Sequence, residues 1–259
     1  MEELQADIYD YPKYYDLVYG SDWKAEYDFL IGCAEQFLGR PAVSMFEPAC
    51  GTGRLLYRLG QAGLQVAGND LNAKAVAYCN QRLARNGLPE TTVVGDMADF
   101  QLAEPVDVGF NMINSFRHLN TESLAVEHLK CMSRAVTAGG IYVLGIHLVP
   151  VIGDACERES WSASRGHLTV NSDLWLVDRN LKERYEEYAM RYDIFTPTRQ
   201  LCICDQLRFR TYTAKQFLQL VQKVDGITIE AVFDFQYDLS QPIQLDDTTE
   251  DAVFILRVA

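Results

Sequence analysis

The sequence predicts an α/β fold in which a seven-stranded, mostly parallel sheet is covered by helices and interrupted after its fifth strand by an antiparallel β insertion. Three observations predict it. Short apolar runs alternate with helix-period segments from Val43 to Leu148. A Gly-rich turn, Glu47-Pro48-Ala49-Cys50-Gly51-Thr52-Gly53, joins the first strand to the helix after it. Between residues 166 and 210 the apolar period changes to two. At 259 residues the chain fits one domain over 1–259.

Residues 1–38 are dense in aromatics, with Tyr9, Tyr11, Tyr14, Tyr15, Tyr19 and Trp23. They read as a partly helical lead-in whose aromatic stripe either packs in a core or closes over a ligand as a lid. Val43–Glu47 is the first strand, and Thr52–Ala62 a helix with Leu55, Leu56 and Leu59 on one face. Leu64–Asp70 is the second strand, and Asn72 caps a helix that stops at Asn86-Gly87. Thr91–Gly95 and Val106–Ile113 are the third and fourth strands. Asn120 or Thr121 opens a helix that Gly139-Gly140 closes, and Ile141–Leu148 is the fifth strand. The insertion at 166–210 reads as three antiparallel strands, with turns at Asp178-Arg179-Asn180 and Thr196-Pro197-Thr198. Thr213 and Gln216 have capping-box spacing before a helix with Phe217, Leu220, Val221 and Val224 on its core face, ended by Gly226. Ile227–Phe233 and Ala252–Val258 close the sheet, separated by the polar loop Ser240–Asp251.

The formal net charge is -13 and the pI about 4.7. Such a surface repels phosphate backbones, and no Lys/Arg cluster offsets it, so nucleic acid is disfavoured as a partner. Seven cysteines lack zinc or disulfide spacing, and Cys202 and Cys204 alternate within an apolar strand. No apolar run reaches membrane-spanning length and no signal sequence is evident, which gives a cytoplasmic expectation without membrane association. A homo-oligomer stays open.

A strand running through a glycine turn into a helix offers free backbone N–H groups and a positive helix end to a ligand. Many α/β proteins share that feature. Three carboxylates sharpen it: Glu47 ends the first strand, Asp70 ends the second seventeen residues after Gly53, and Asp96 follows the third beside Met97. The ends of successive parallel strands are where open sheets bind ligands. Glu47 suits a cationic amino group, Asp70 a pair of ribose hydroxyls, and Asp96 with Met97 a purine. Each acid taken singly could instead be a cap or a satisfied buried group. A nicotinamide fingerprint would need a small residue where Leu56 stands, and Glu47 would crowd a pyrophosphate.

Glu47–Gly53 resembles the first motif of the class I S-adenosylmethionine-dependent methyltransferases, and Asp70 and Asp96 fall where that family's second and third motifs lie. The aromatic lead-in, the insertion and the Arg210-Thr211-Tyr212-Thr213 approach to the last helix look like its small-molecule N-methyltransferase branch. The resemblance implies a Rossmann-like fold and S-adenosylmethionine as cofactor. It places Glu47, Ala49, Gly51 and Gly53 at the methionine end, Asp70 at the ribose, and Leu71, Asp96 and Met97 at the adenine. Asn111 to Asn114 would pass beside the sulfonium, and Tyr15 and Tyr19 would belong to the lid. Ala49 departs from the family glycine, so the turn is expected to avoid a positive φ there.

The implied reaction is methyl transfer to nitrogen or oxygen of a small acceptor, with an amine preferred. An amine must shed a proton, and His118 in Asn114-Ser115-Phe116-Arg117-His118 is the leading base candidate. His147 is second; His128 reads as packing. Arg117 could meet an acidic substrate group, but is expected to pair with a local carboxylate. A nicotinamide oxidoreductase and a non-catalytic module that binds the cofactor are the alternative readings. The insertion would shape the acceptor pocket or meet another subunit.

Overall fold

The structure is a computed structural model that describes residues 2–153 and 155–259. The chain opens with β1 (Glu2–Gln5), α1 (Pro12–Tyr19) and α2 (Lys24–Leu38). β2 (Ser44–Pro48), α3 (Leu56–Gln61), β3 (Gln65–Asp70), α4 (Ala73–Arg85) and β4 (Thr92–Val94) follow. Next come β5 (Val106–Asn111), α5 (Glu122–Ala135) and β6 (Val136–His147). A second group comprises β7 (Arg158–Arg165), β8 (Leu168–Asn180), β9 (Tyr185–Phe195) and β10 (Gln200–Arg210). α6 (Ala214–Val221), β11 (Ile227–Phe233) and β12 (Asp251–Val258) end the chain.

The main sheet has seven strands in the order β11-β12-β6-β5-β2-β3-β4. Every neighbouring pair from β6 to β4 is parallel, and β12 runs antiparallel to both β6 and β11. One face packs Phe29, Leu30, Leu59, Cys79 and Leu83 from α2, α3 and α4 against Met45, Phe110 and Ile255. The other packs Leu129 and Met132 of α5 and Phe217 of α6 against Leu144 and Phe254. Each such large apolar side chain contributes about 1.5–3 kcal/mol through burial. The strands run apolar throughout because both faces are covered.

Predicted caps are in place. The Asn72 side chain accepts from the N–H groups of Lys74 and Ala75, and Thr121 accepts from Leu124 N–H. Thr213 and Gln216 close a complete capping box. Two helix boundaries differ from expectation. α3 begins at Leu56 rather than Thr52, because residues 49, 51 and 53 take left-handed backbone angles that no right-handed helix accommodates. α5 ends at Ala135, where Val136 already adopts an extended conformation, so Gly139-Gly140 lies within β6 instead of closing the helix.

The insertion is larger than predicted. It holds four antiparallel strands, and β1 adds to β10 in parallel, giving a five-stranded sheet ordered β1-β10-β9-β8-β7. β7, with the sequence Arg-Glu-Ser-Trp-Ser-Ala-Ser-Arg, is mostly exposed, so it lacks the apolar alternation that reveals its neighbours. α1 lies against this sheet, burying Leu17 and Val18 with Val170, Tyr192, Ile194 and Ile203. Asp16 of α1 is fully buried and joins three elements. It accepts from Thr52 Oγ1 at 3.2 Å and Tyr78 Oη at 3.3 Å, and pairs with Arg82 and Arg165. The lead-in is thereby fixed over the carboxyl ends of the main sheet. Among the described residues no helix is long and apolar enough to cross a membrane.

Candidate active site

Between the carboxyl ends of the main sheet and the inner face of the second sheet lies a cavity of 580 Å³. Of the residues singled out in the sequence, Ala49, Gly51, Asp70, Leu71, Met97, Asn114, Tyr15, Tyr19 and His118 line it. Glu47, Gly53, Asp96 and Asn111 stand just outside its wall, each for a different reason.

The turn after β2 sets the floor. Ala49, Gly51 and Gly53 have φ of 52°, 53° and 65°. The expectation that Ala49 avoids a positive φ is therefore wrong: the loop forces alanine into the left-handed region, at a cost of about 1–2 kcal/mol. Gly removes that cost but loses the smaller entropic benefit of a β-carbon. Ala49→Gly is therefore expected to raise stability by up to about 1 kcal/mol, read as a higher melting temperature; a clear fall would show that the alanine methyl packs favourably. A β-carbon at Gly53 would stand 2.2 Å from Cys79 Sγ, so this glycine lets the loop seat on α4. At Gly51 the only neighbour of such a carbon within 4 Å is Tyr15, at 3.7 Å, so here the backbone faces the cavity beneath the lid.

Asp70 organises the loop. Its Oδ2 accepts Gly51 N–H at 2.8 Å and its Oδ1 accepts Asn72 N–H at 2.8 Å. Burial pushes its carboxyl upward, and these two N–H groups pull it back. Leu71 beside it is 68% exposed, an apolar surface left open within a cavity wall. Glu47 is buried, its Oε2 has no hydrogen-bond partner among the described residues, and burial raises its pKa well above the usual carboxylate range. Asn111, one strand over, donates from Nδ2 to Pro48 O at 2.8 Å and likewise leaves Oδ1 unpartnered. Asp96 serves a local turn, with Oδ1 accepting Ala98 N–H at 2.8 Å, while Met97 reaches the cavity.

These features fit S-adenosylmethionine. Two buried acceptors without partners among the described residues, a strand-end carboxylate and the apolar Leu71 and Met97 on the cavity wall match its amino group, ribose and adenine in kind.

An aromatic roof covers the cavity. Tyr9 and Tyr15 rings are 5.2 Å apart, Tyr15 and Tyr19 4.6 Å, and Tyr19 meets Trp161 of β7 at 5.6 Å. The far wall comes from the second sheet, through Glu186, Tyr188 and Met190 of β9 and Leu207 and Phe209 of β10. Arg117 does pair with a carboxylate, though not a neighbour in sequence. It meets Glu186, and both are buried; its Nε also donates to Arg210 O at 2.9 Å. Glu186 accepts a second cation, Arg179, at 2.7 Å.

His118 faces the cavity with Nε2 3.1 Å from Tyr9 Oη and its ring edge-on to Phe209. Burial, then the Arg117 charge, lowers its pKa to about 4. His128 is packing, as expected: it is sealed between Met97 O and Tyr142 Oη, and burial lowers its pKa to about 4 as well. Between about pH 6.5 and 4 the unfolded chain binds protons at these sites and the folded chain does not. Stability is therefore full above the upper value and falls as pH drops, by about 1.4 kcal/mol per pH unit for His128. Urea midpoints measured across this range should show the fall, and His128→Phe should flatten it. A wild-type midpoint indifferent to pH here would contradict the assignment.

The second-sheet residues Trp161, Glu186, Tyr188 and Phe209 were not recognised as site residues from sequence. One signal was present: Glu186 shares its strand face with Met190, Tyr192 and Ile194, a carboxylate on an otherwise inward apolar stripe.

Residues 46–140 match a family model described as a methyltransferase domain. Over 139 residues the chain is 29% identical to the dTDP-4-amino-2,3,4,6-tetradeoxy-D-glucose N,N-dimethyltransferase of Saccharopolyspora spinosa, covering 52% of this chain and 53% of that protein. The match thus spans about half of that relative. The crystal structure of DesVI from Streptomyces venezuelae superposes with a TM-score of 0.80 at 18% identity, over 99% of this chain and 100% of that one. An amino pentose methyltransferase from Micromonospora echinaspora, solved with S-adenosylmethionine bound, superposes at 0.75 and 17% identity over 100% of both chains. Residues 46–140 therefore resemble a methyltransferase domain, set in a chain whose fold is that of the S-adenosylmethionine-dependent methyltransferases.

Proposed function

We propose that the protein transfers a methyl group from S-adenosylmethionine to the amine of a small acceptor of the amino-sugar class. The observation that carries this reading is the cavity itself. It runs from the strand-end carboxylates of a methyltransferase domain to a second-sheet wall that combines aromatic faces with carboxylates. Trp161, Tyr188 and Phe209 suit the C–H faces of a sugar ring, and Asp7, Glu159 and Glu250 attract an ammonium. The cation Arg158 on that wall is already paired with Asp173, at 3.0 Å from Nε. The amino-sugar acceptors of the relatives support the same class. A nicotinamide cofactor fits poorly, because Leu56 fills the core where its fingerprint needs a small residue.

In this reading Asp70 would hold the ribose hydroxyls, Leu71 and Met97 the adenine, and Glu47 the charge of the methionine amino group. When bound, S-adenosylmethionine supplies a methyl carbon made electrophilic by its sulfonium. The protein's part is to align the acceptor nitrogen, and to exclude water with Tyr9, Tyr15 and Tyr19. His118 faces the acceptor side as a neutral imidazole bonded to Tyr9. The seven cysteines, all free thiols, support a reducing cytoplasmic location.

Incubation with methyl-labelled S-adenosylmethionine tests the acceptor. A nucleotide-linked amino sugar should take up label, and its hydroxyl analogue should not. Label on the hydroxyl compound alone, or on neither, would contradict the reading.

A further inference from the structure

An alkyl amine in neutral water is mostly ammonium, and its nitrogen then has no lone pair with which to form a bond. A proton acceptor must meet it in the cavity. Of the four histidines, His118 and His147 line that cavity. His118 already commits Nε2 to the Tyr9 hydroxyl, and its burial makes it a weak proton acceptor at neutral pH.

His147 is built differently. It ends β6 directly opposite Asp251 of β12 in the antiparallel register, and its Nδ1 is hydrogen-bonded to Asp251 Oδ1. Its backbone N–H donates to Asn114 Oδ1 at 3.1 Å, which ties it to the loop after β5. Its ring stands edge-on to Phe235 at 5.0 Å. Nε2 makes no hydrogen bond among the described residues, and the side chain is 34% exposed. A carboxylate that accepts a hydrogen bond from Nδ1–H fixes the tautomer that leaves Nε2 as a free acceptor. The charged group against the ring is Asp251; Glu250 lines the same cavity from the segment before β12, and Asn114 and Phe235 are neutral. Glu250 Oε1 accepts Cys156 N–H at 2.8 Å, and Cys156 lines the cavity beside it.

We propose that His147, oriented by Asp251, is the proton acceptor for the substrate amine. The assignment rests on the acceptor being an amine. One N–H bond of the ammonium breaks and an Nε2–H bond forms, while the electron pair stays on the substrate nitrogen. The resulting imidazolium is stabilised by the Asp251 carboxylate and returns its proton to solvent through its exposed edge.

Initial rates of labelled methyl transfer for His147→Gln and Asp251→Asn, taken from about pH 6.5 to pH 10, test this, with S-adenosylhomocysteine affinity measured alongside by calorimetry. His147→Gln should keep that affinity and lose about 100-fold or more in rate near pH 7. The deficit should shrink as pH rises past the pKa of the amine itself, because the free base then arrives from solution. Asp251→Asn should move the acidic limb of the profile, which a merely structural contact would not do. His118→Gln should leave that limb in place. A His147→Gln enzyme within about threefold of wild type near pH 7, or a deficit independent of pH, overturns the assignment. If His147→Gln does not bind the cofactor product, Asp251→Asn decides, and an unmoved limb overturns the assignment. A wild-type protein that methylates no amine overturns the acceptor reading itself, and is told apart from the other failures by the wild-type rate alone.

Discussion

Asp70→Ala is expected to weaken binding of S-adenosylhomocysteine by about 100-fold or more, the loss of two charge-assisted hydrogen bonds at about 1.5–3 kcal/mol each. The effect has two sources. In the proposed reading the carboxylate receives the ribose hydroxyls, and it also holds Gly51 and Asn72 through their N–H groups, fixing the loop and the start of α4. Asp70→Asn keeps the size and one acceptor oxygen, so its loss should be smaller than that of the alanine variant. Affinities come from calorimetric titration at constant salt. An Asp70→Ala protein that binds with wild-type affinity would remove Asp70 from the site.

Glu186→Ala should be the most destabilising single change at the cavity, by about 3–5 kcal/mol, because it strands Arg117 as a buried charge. Arg117 sits in the segment after β5 and Glu186 on β9, so the pair joins the main sheet to the second sheet. Arg179 loses its nearer carboxylate in the same step and keeps Glu157 at 3.5 Å. Replacing Arg117 and Glu186 together by apolar residues should recover much of the loss, since the desolvation penalty then disappears with the pair. Urea unfolding of both variants measures this. A Glu186→Ala loss below about 1 kcal/mol would mean that Arg117 finds solvent or another partner on its own.

The main sheet was legible because its signals are local. Asn72, Thr121 and Thr213 cap helices through side chains within three residues, and apolar periodicity marks the strands between them. The turn was legible in composition but not in conformation. Nothing near Ala49 indicates that an alanine takes φ of 52°; the loop between β2 and Asp70 imposes it. The motif position of Gly53 points to the ligand, and nothing local shows that a side chain there would meet Cys79 on α4. Asp96 shows the same limit, being satisfied by Ala98 two residues on.

The second sheet was legible only where its strands carry an apolar stripe. β7 is exposed and polar, and β1 pairs with β10 across nearly the whole chain, a contact that no local pattern encodes. The acceptor wall depends on that sheet, so Trp161, Glu186 and Phe209 emerged only from the structure. His147 and Asp251 meet for the same reason, through the antiparallel register of β6 and β12.

Calorimetric titration of the wild-type protein with S-adenosylhomocysteine and, separately, with NADH tests the central claim most directly. The site built from Glu47, Asp70, Leu71 and Met97 predicts saturable one-to-one binding of the sulfur nucleoside and no heat from NADH. Binding of NADH with no response to S-adenosylhomocysteine would contradict it.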